Sequence, residues 1–242
     1  MSTMTMRTTR GAIRRGSAHR EPTAAAPGQA GNCESALQDS LLDLVDEIEL
    51  GPLAGKVQRR TLTRGAWVDL RPGWLQGADA MMRELLHSVP WHAERRQMYE
   101  RVVDVPRMLC FYGEDDPLPH PVLDRAKGLL NEQYGAELGE PFVTAGMCLY
   151  RDGQDSVAWH GDTIGRGKSE DTMVAILSIG SARALSLRPR GSSTTWAKYP
   201  LGHGDLIVMG GSCQRTWEHA ITKTAKPVGP RISIQFRPRG VR

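Results

Sequence analysis

The residues best suited to chemistry are His160 and Asp162, at the end of the run Tyr150-Arg-Asp-Gly-Gln-Asp-Ser-Val-Ala-Trp-His-Gly-Asp162. One residue separates them, and on an extended strand positions i and i+2 face the same side. An imidazole and a carboxylate so placed can grip one metal ion, but two donors leave a site incomplete. A second histidine stands in another strand-like segment, His219 in Trp-Glu-His-Ala-Ile. Two imidazoles and one carboxylate on one face of an ion, with other positions open, form the donor set of non-haem iron(II) oxygen chemistry. A His-Gly-Asp tripeptide is also ordinary turn material, since both glycine and aspartate favour turns.

The run Arg231-Ile-Ser-Ile-Gln-Phe-Arg237 alternates strictly. Its odd positions are Arg231, Ser233, Gln235 and Arg237, and its even ones Ile232, Ile234 and Phe236, so one strand face is apolar and the other polar. Two readings are open. The strand lies at a sheet edge with a wet face, or its polar face lines a cavity where guanidiniums hold an anion. A planar guanidinium suits bidentate recognition of a carboxylate.

These side chains need elements to position them. From Phe142 onward strands dominate, with turns expected at Asp152-Gly153, Arg190-Gly191 and Gly210-Gly211. Short strands so punctuated predict a jelly roll or double-stranded β-helix, in which two sheets share a lumen. Cys148 and Tyr150 fall on one strand face and would point the same way as the odd residues of 231–237. Upstream, Gln76–Ser88 predicts an amphipathic helix packed on a sheet, and Val122–Tyr134 a second helix ending near Gly135. Residues 40–75 read as short strands and turns, with Arg71-Pro-Gly73 as one turn and with Arg59, Arg60 and Arg64 either facing a nucleic-acid backbone or on a solvated hairpin face. The fold class expected is α+β, mainly β, with supporting N-terminal helices.

The 242 residues suffice for one sizeable domain. Residues 1–34 hold Arg7, Arg10, Arg14, Arg15 and Arg20 with almost no large apolar side chains, so a disordered basic arm is expected. The domain then spans 35–242, with substrate recognition and helical support in 35–140 and the catalytic core in 141–242. A net charge of +4 and a pI near 9.0 fit a nucleic-acid partner without requiring one. Cys33, Cys110, Cys148 and Cys213 have no paired spacing, so free thiols in a reducing, cytoplasmic setting are expected. No apolar run is long enough to cross a membrane, and a monomer is the expected state.

Taken together, His160-Gly-Asp162, His219 and Arg231-x-Ser-x-x-x-Arg237 resemble the AlkB family of Fe(II)/2-oxoglutarate-dependent dioxygenases, notably the animal homologues that repair alkylated DNA and RNA. Leu149–His160, Ala175–Gly180, Gly204–Met209 and Val105-Pro-Arg-Met-Leu-Cys-Phe-Tyr-Gly113 match in order. The resemblance implies Fe(II) on His160, Asp162 and His219. It also implies 2-oxoglutarate with its far carboxylate on Arg231 beside Tyr150, and Arg237 nearer the metal against Asp162. Cys148 and Ser233 stand where the family usually has asparagine, which weakens hydrogen bonding to the cosubstrate. The implied reaction consumes dioxygen and 2-oxoglutarate and removes methyl groups from N1-methyladenine or N3-methylcytosine, with succinate and formaldehyde released. Arg107, Tyr112, Trp159 and Thr163 are the substrate-side candidates, with Thr163–Asp171 as a substrate-side loop. A base-probing loop is implied near residues 40–75, with no marked tip. The same chemistry on a protein or small molecule, or a non-catalytic nucleic-acid-binding module, are the alternatives.

Overall fold

The computed structural model describes residues 47–98 and 101–241. The arginines of the basic arm and Cys33 lie outside them. The elements run β1 (Glu49–Leu50), β2 (Gln58–Thr61), β3 (Ala66–Arg71), β4 (Leu75–Gln76), α1 (Ala78–Ser88), β5 (His92–Met98), β6 (Arg101–Tyr112) and α2 (Pro121–Leu138). They continue with β7 (Thr144–Tyr150), β8 (Val157–His160), β9 (Val174–Gly180), β10 (Arg183–Pro189) and β11 (Ala197–Leu201). Last come β12 (Asp205–Gly211), α3 (Cys213–Thr216), β13 (Trp217–Ile221) and β14 (Arg231–Arg237).

The strands build an eight-stranded sheet in the order β2-β3-β12-β9-β14-β7-β6-β5 and a four-stranded sheet in the order β11-β10-β13-β8, with β1 paired to β4. Every ladder is antiparallel. This is the expected mainly-β jelly-roll architecture, and period-two alternation explains how it holds together. On β9, Ala175, Leu177 and Ile179 join a core with Met81 and Leu85 of α1 and Leu123, Ala126 and Leu130 of α2. Val174 and Ile176 face the other way, into a second core shared with Leu185 and Leu187 of β10 and Trp217 and Ile221 of β13. At β9 the larger sheet is thus apolar on both faces, one covered by helices and the other by the smaller sheet.

β14 lies between β9 and β7 at the centre of the larger sheet. The edge-strand reading is therefore excluded. Ile232, Ile234 and Phe236 sit in the helix-side core, which leaves the odd positions to face the lumen.

Three expectations about boundaries need correction. α1 starts at Ala78, because Gly77 has a left-handed backbone (φ 65°) that a helix cannot contain. α2 runs through Gly135 to Leu138, since Leu138 still packs against the helix-side core. It stops at Gly139, whose φ of 79° makes the C-terminal cap. Gly210 is no turn residue but lies in β12 opposite Trp67, where a Cβ would stand 2.1 Å from the indole. Arg59, expected on a hairpin face, is occupied internally by Asp69 and Glu137 and stacks on Trp67. The chain's long hairpin is β5–β6, later than residues 40–75, and its turn lies outside the described residues.

Candidate functional site

His160 and His219 owe their proximity to the smaller sheet, because they are directly opposed partners in the β8–β13 ladder. Their ring centroids lie 4.3 Å apart. The Nδ1–H of His160 donates to the Ala158 carbonyl at 2.8 Å, which leaves Nε2 as the lone-pair nitrogen. That Nε2 is 3.8 Å from Asp162 Oδ1. One donor atom from each of His160, Asp162 and His219 lies within 4.8 Å of the others. Asp162, however, does not share a strand with His160, because β8 ends at His160. Its carboxylate is aimed from outside the strand by Arg237, whose Nε donates to Oδ2 at 2.7 Å. Its backbone N–H donates to the Gln214 side chain at 3.0 Å.

The electrostatics suit a cation. Burial alone would raise the Asp162 pKa, but Arg237 and the two imidazoles outweigh it and hold the carboxyl at about 2. Burial, with His160 alongside, pushes His219 down to about 3. The site therefore presents an ionised carboxylate and a neutral buried imidazole at neutral pH, the protonation states a metal requires.

A stability prediction follows from His219. Its folded pKa lies below the ordinary value of 6.5, so between those values the unfolded chain binds a proton that the folded chain refuses. The metal-free protein therefore loses stability as pH falls from about 6.5 toward 3. Thermal denaturation across that range should show a falling Tm, and His219→Asn should flatten the slope. An unchanged slope in that variant would contradict the assignment.

The cavity beside these three residues is lined also by Arg107, Cys148, Tyr150, Arg231, Ser233, Gln235 and Arg237. All four odd positions of β14 thus share one lumen with Cys148 and Tyr150 of β7. Arg231 is nearly fully buried. Its Nε donates to Ser178 Oγ at 2.9 Å, but its Nη1 has no partner among the described residues. Burial pulls the Arg231 pKa below its usual value, the mark of a cation that lacks a counter-charge. Its Cζ lies 5.3 Å from the Tyr150 ring centroid. A buried guanidinium with a free donor in a lumen fits a carboxylate, and the histidine–aspartate cluster fits a divalent metal. The residues present therefore suit both groups. Gln235 shares the wall, with its amide donating to Ser233 Oγ at 2.6 Å. Its place on the polar face of β14 was the only sequence signal for it. Ser178 and Gln214 gave none, because their contacts are long-range.

Among the substrate-side candidates, Arg107 reaches the cavity; its Nη1 donates to the Ser156 carbonyl, while its buried Nε lacks a partner among the described residues. Tyr112, Trp159 and Thr163 are not on the cavity wall. Tyr112 packs against the helix-side core. Trp159 points away from its neighbour His160, as alternation on β8 demands, and takes the Arg188 guanidinium at 4.3 Å from its ring centroid. The Thr163 hydroxyl donates to the Gly161 carbonyl. The loop 163–171 is tied down as well: Arg166 pairs with Glu140 and Glu170, and Gly165 bridges to Val241. Cys110, Cys148 and Cys213 are free thiols. No helix of the described residues is long and apolar enough to cross a membrane.

Comparison with known proteins agrees with this geometry. A family model for the 2OG-Fe(II) oxygenase superfamily matches residues 112–237. The chain is 31% identical over 194 residues to the alpha-ketoglutarate-dependent dioxygenase alkB homolog 3 of Bos taurus, a match covering 70% of this chain and 65% of that protein. It is 26% identical over 182 residues to the DNA oxidative demethylase ALKBH2 of Homo sapiens, covering 66% of this chain and 68% of the relative. The chain thus spans just under two thirds of the alkB homolog 3 length. The solved structure of OsALKBH1 superposes with a TM-score of 0.53 at 13% identity, over 75% of this chain and all of that one, which speaks to the fold.

Proposed function

Because the chain belongs to the 2OG-Fe(II) oxygenase superfamily, we propose that it oxidatively demethylates N-alkylated bases, such as N1-methyladenine and N3-methylcytosine, in DNA or RNA. The observation that carries the chemistry is Arg231 Nη1, without a partner among the described residues, in the lumen that also holds His160, Asp162 and His219. The similarity to alkB homolog 3 and to ALKBH2, the latter named as a DNA oxidative demethylase, supports the choice of substrate.

His160, Asp162 and His219 would hold the iron, and Arg231 would take the far carboxylate of 2-oxoglutarate beside the Tyr150 ring. With both bound, the pair supplies the oxidising equivalents: dioxygen is consumed, 2-oxoglutarate leaves as succinate and carbon dioxide, and one oxygen atom goes to the N-methyl carbon. The resulting hemiaminal loses its hydroxyl proton and breaks its C–N bond, releasing formaldehyde and returning the bonding pair to the ring nitrogen as the lone pair of the unmodified base. The protein's part is placement and exclusion of water. Arg237 keeps Asp162 ionised and pointed inward, Ala158 fixes the His160 tautomer, and the apolar walls of Val174, Ile176, Leu185 and Ile221 limit water. A base would have to leave its stack to enter, unless the strand is single. Arg107, the remaining cavity cation with a free donor, would then face the incoming substrate.

Protein reconstituted anaerobically with Fe(II) and 2-oxoglutarate, then given oxygen and oligonucleotides bearing either lesion, tests the proposal. Loss of methyl mass matched by succinate is the expected result. Succinate without demethylation would keep the oxygenase and reject the substrate, and absence of both would leave a binding module.

A further inference from the structure

We propose that Gln214 is a positioning residue for the metal site, locking Asp162 to the element that delivers His219; the inference rests on the metal reading above. His160 and His219 are cross-strand partners, so sheet pairing sets their separation. Asp162 has no such support, because it lies beyond the end of β8 in irregular backbone. A short, flexible connection there would leave its carboxylate free to turn away.

The hydrogen bond from the Asp162 N–H to Gln214 Oε1 supplies the missing constraint. Gln214 is 1% exposed and belongs to α3, which runs directly into β13 and hence into His219. The joint is tight on the backbone side too. A Cβ on Gly161 would stand 2.2 Å from the Gln214 carbonyl oxygen and 2.8 Å from Arg190 Nη2, so the residue between the two donors has to be glycine. Arg190 closes the assembly by donating from Nη2 to that carbonyl and from Nε to the Arg215 carbonyl. The Gln214 Nε2 is buried and has no partner among the described residues. An unsatisfied buried donor is costly, so the engaged atom of this amide is its oxygen, held by the Asp162 N–H. The carboxylate thus has two tethers of different kinds: Arg237 orients the oxygens, and Gln214 fixes the backbone from which they hang.

Gln214→Met preserves side-chain length and removes the acceptor. Titration with Co2+ alone, followed by d–d absorption, reads the site without any turnover. The expected result is a folded protein, by circular dichroism and metal-free Tm, whose Co2+ affinity falls about tenfold to a hundredfold with an altered absorption envelope. Wild-type affinity and spectrum in folded Q214M would overturn the proposal. If Q214M does not fold, Gln214→Leu, which removes the same acceptor with a different apolar shape, is judged by the same two readouts. No Co2+ uptake by the wild-type protein would overturn the metal reading itself, a result distinct from uptake that Q214M matches.

Discussion

Replacing Arg231 with methionine is expected to raise the 2-oxoglutarate concentration for half-maximal turnover on the order of a hundredfold, without lowering the stability of the free protein. The two effects have one cause. The Arg231 guanidinium is buried, donates to Ser178 Oγ and leaves Nη1 without a partner among the described residues. In the free protein that is a desolvated charge with no counter-ion, and substituting an apolar side chain of similar length for such a group is often neutral or stabilising. In the complex the same group meets a carboxylate, and removing one member of a buried charge pair costs about 2–5 kcal/mol of binding. Steady-state titration with 2-oxoglutarate and a thermal melt of the ligand-free protein check both halves. An unchanged cosubstrate requirement would remove Arg231 from the site, and a large drop in Tm would make its role structural.

Asp162→Ala is expected to abolish turnover and metal uptake together. Two imidazoles held by a sheet ladder still face one another, but they supply neither the charge nor the third donor of a facial site. The substitution also leaves Arg237, mostly buried, without its carboxylate partner. The metal-free protein should therefore lose about 2 kcal/mol of stability, less than for a fully enclosed pair because Arg237 keeps some contact with solvent. Asp162→Asn separates the two consequences: it keeps an oxygen for Arg237 and so loses less stability, yet it binds metal poorly. Near-normal activity in either variant would sink the metal assignment.

What the sequence made legible was whatever the period of a strand encodes. The alternation Arg231 to Arg237 marked a polar face, and the structure places that face on the lumen because Ile232, Ile234 and Phe236 are taken up by the helix-side core. The two histidines were visible as residues in strand-like runs, although their exact opposition across β8 and β13 depends on register, which no local pattern reports. Asp162 shows where local reasoning failed. Its spacing from His160 suggested a shared strand face, whereas it is aimed from irregular backbone by Arg237 and Gln214, both remote in sequence. Glycines misled in the same way: Gly135 looked like a helix stop and Gly210 like a turn, but only Leu138's burial partners and Trp67's ring reveal what each position does. Trp159 was an attractive aromatic beside a ligand; strand alternation already implied that it faces away from His160, and Arg188 occupies its ring.

The claim on which everything else depends is that one lumen holds a metal at His160, Asp162 and His219 and a dicarboxylate at Arg231. Calorimetric titration of 2-oxoglutarate into Mn2+-loaded protein tests it without oxygen chemistry or nucleic acid. One-to-one saturable binding is predicted, weakened when the metal is omitted and weakened on the order of a hundredfold in Arg231→Met. Absence of binding in the wild-type protein, or binding indifferent to both the metal and Arg231, would contradict it.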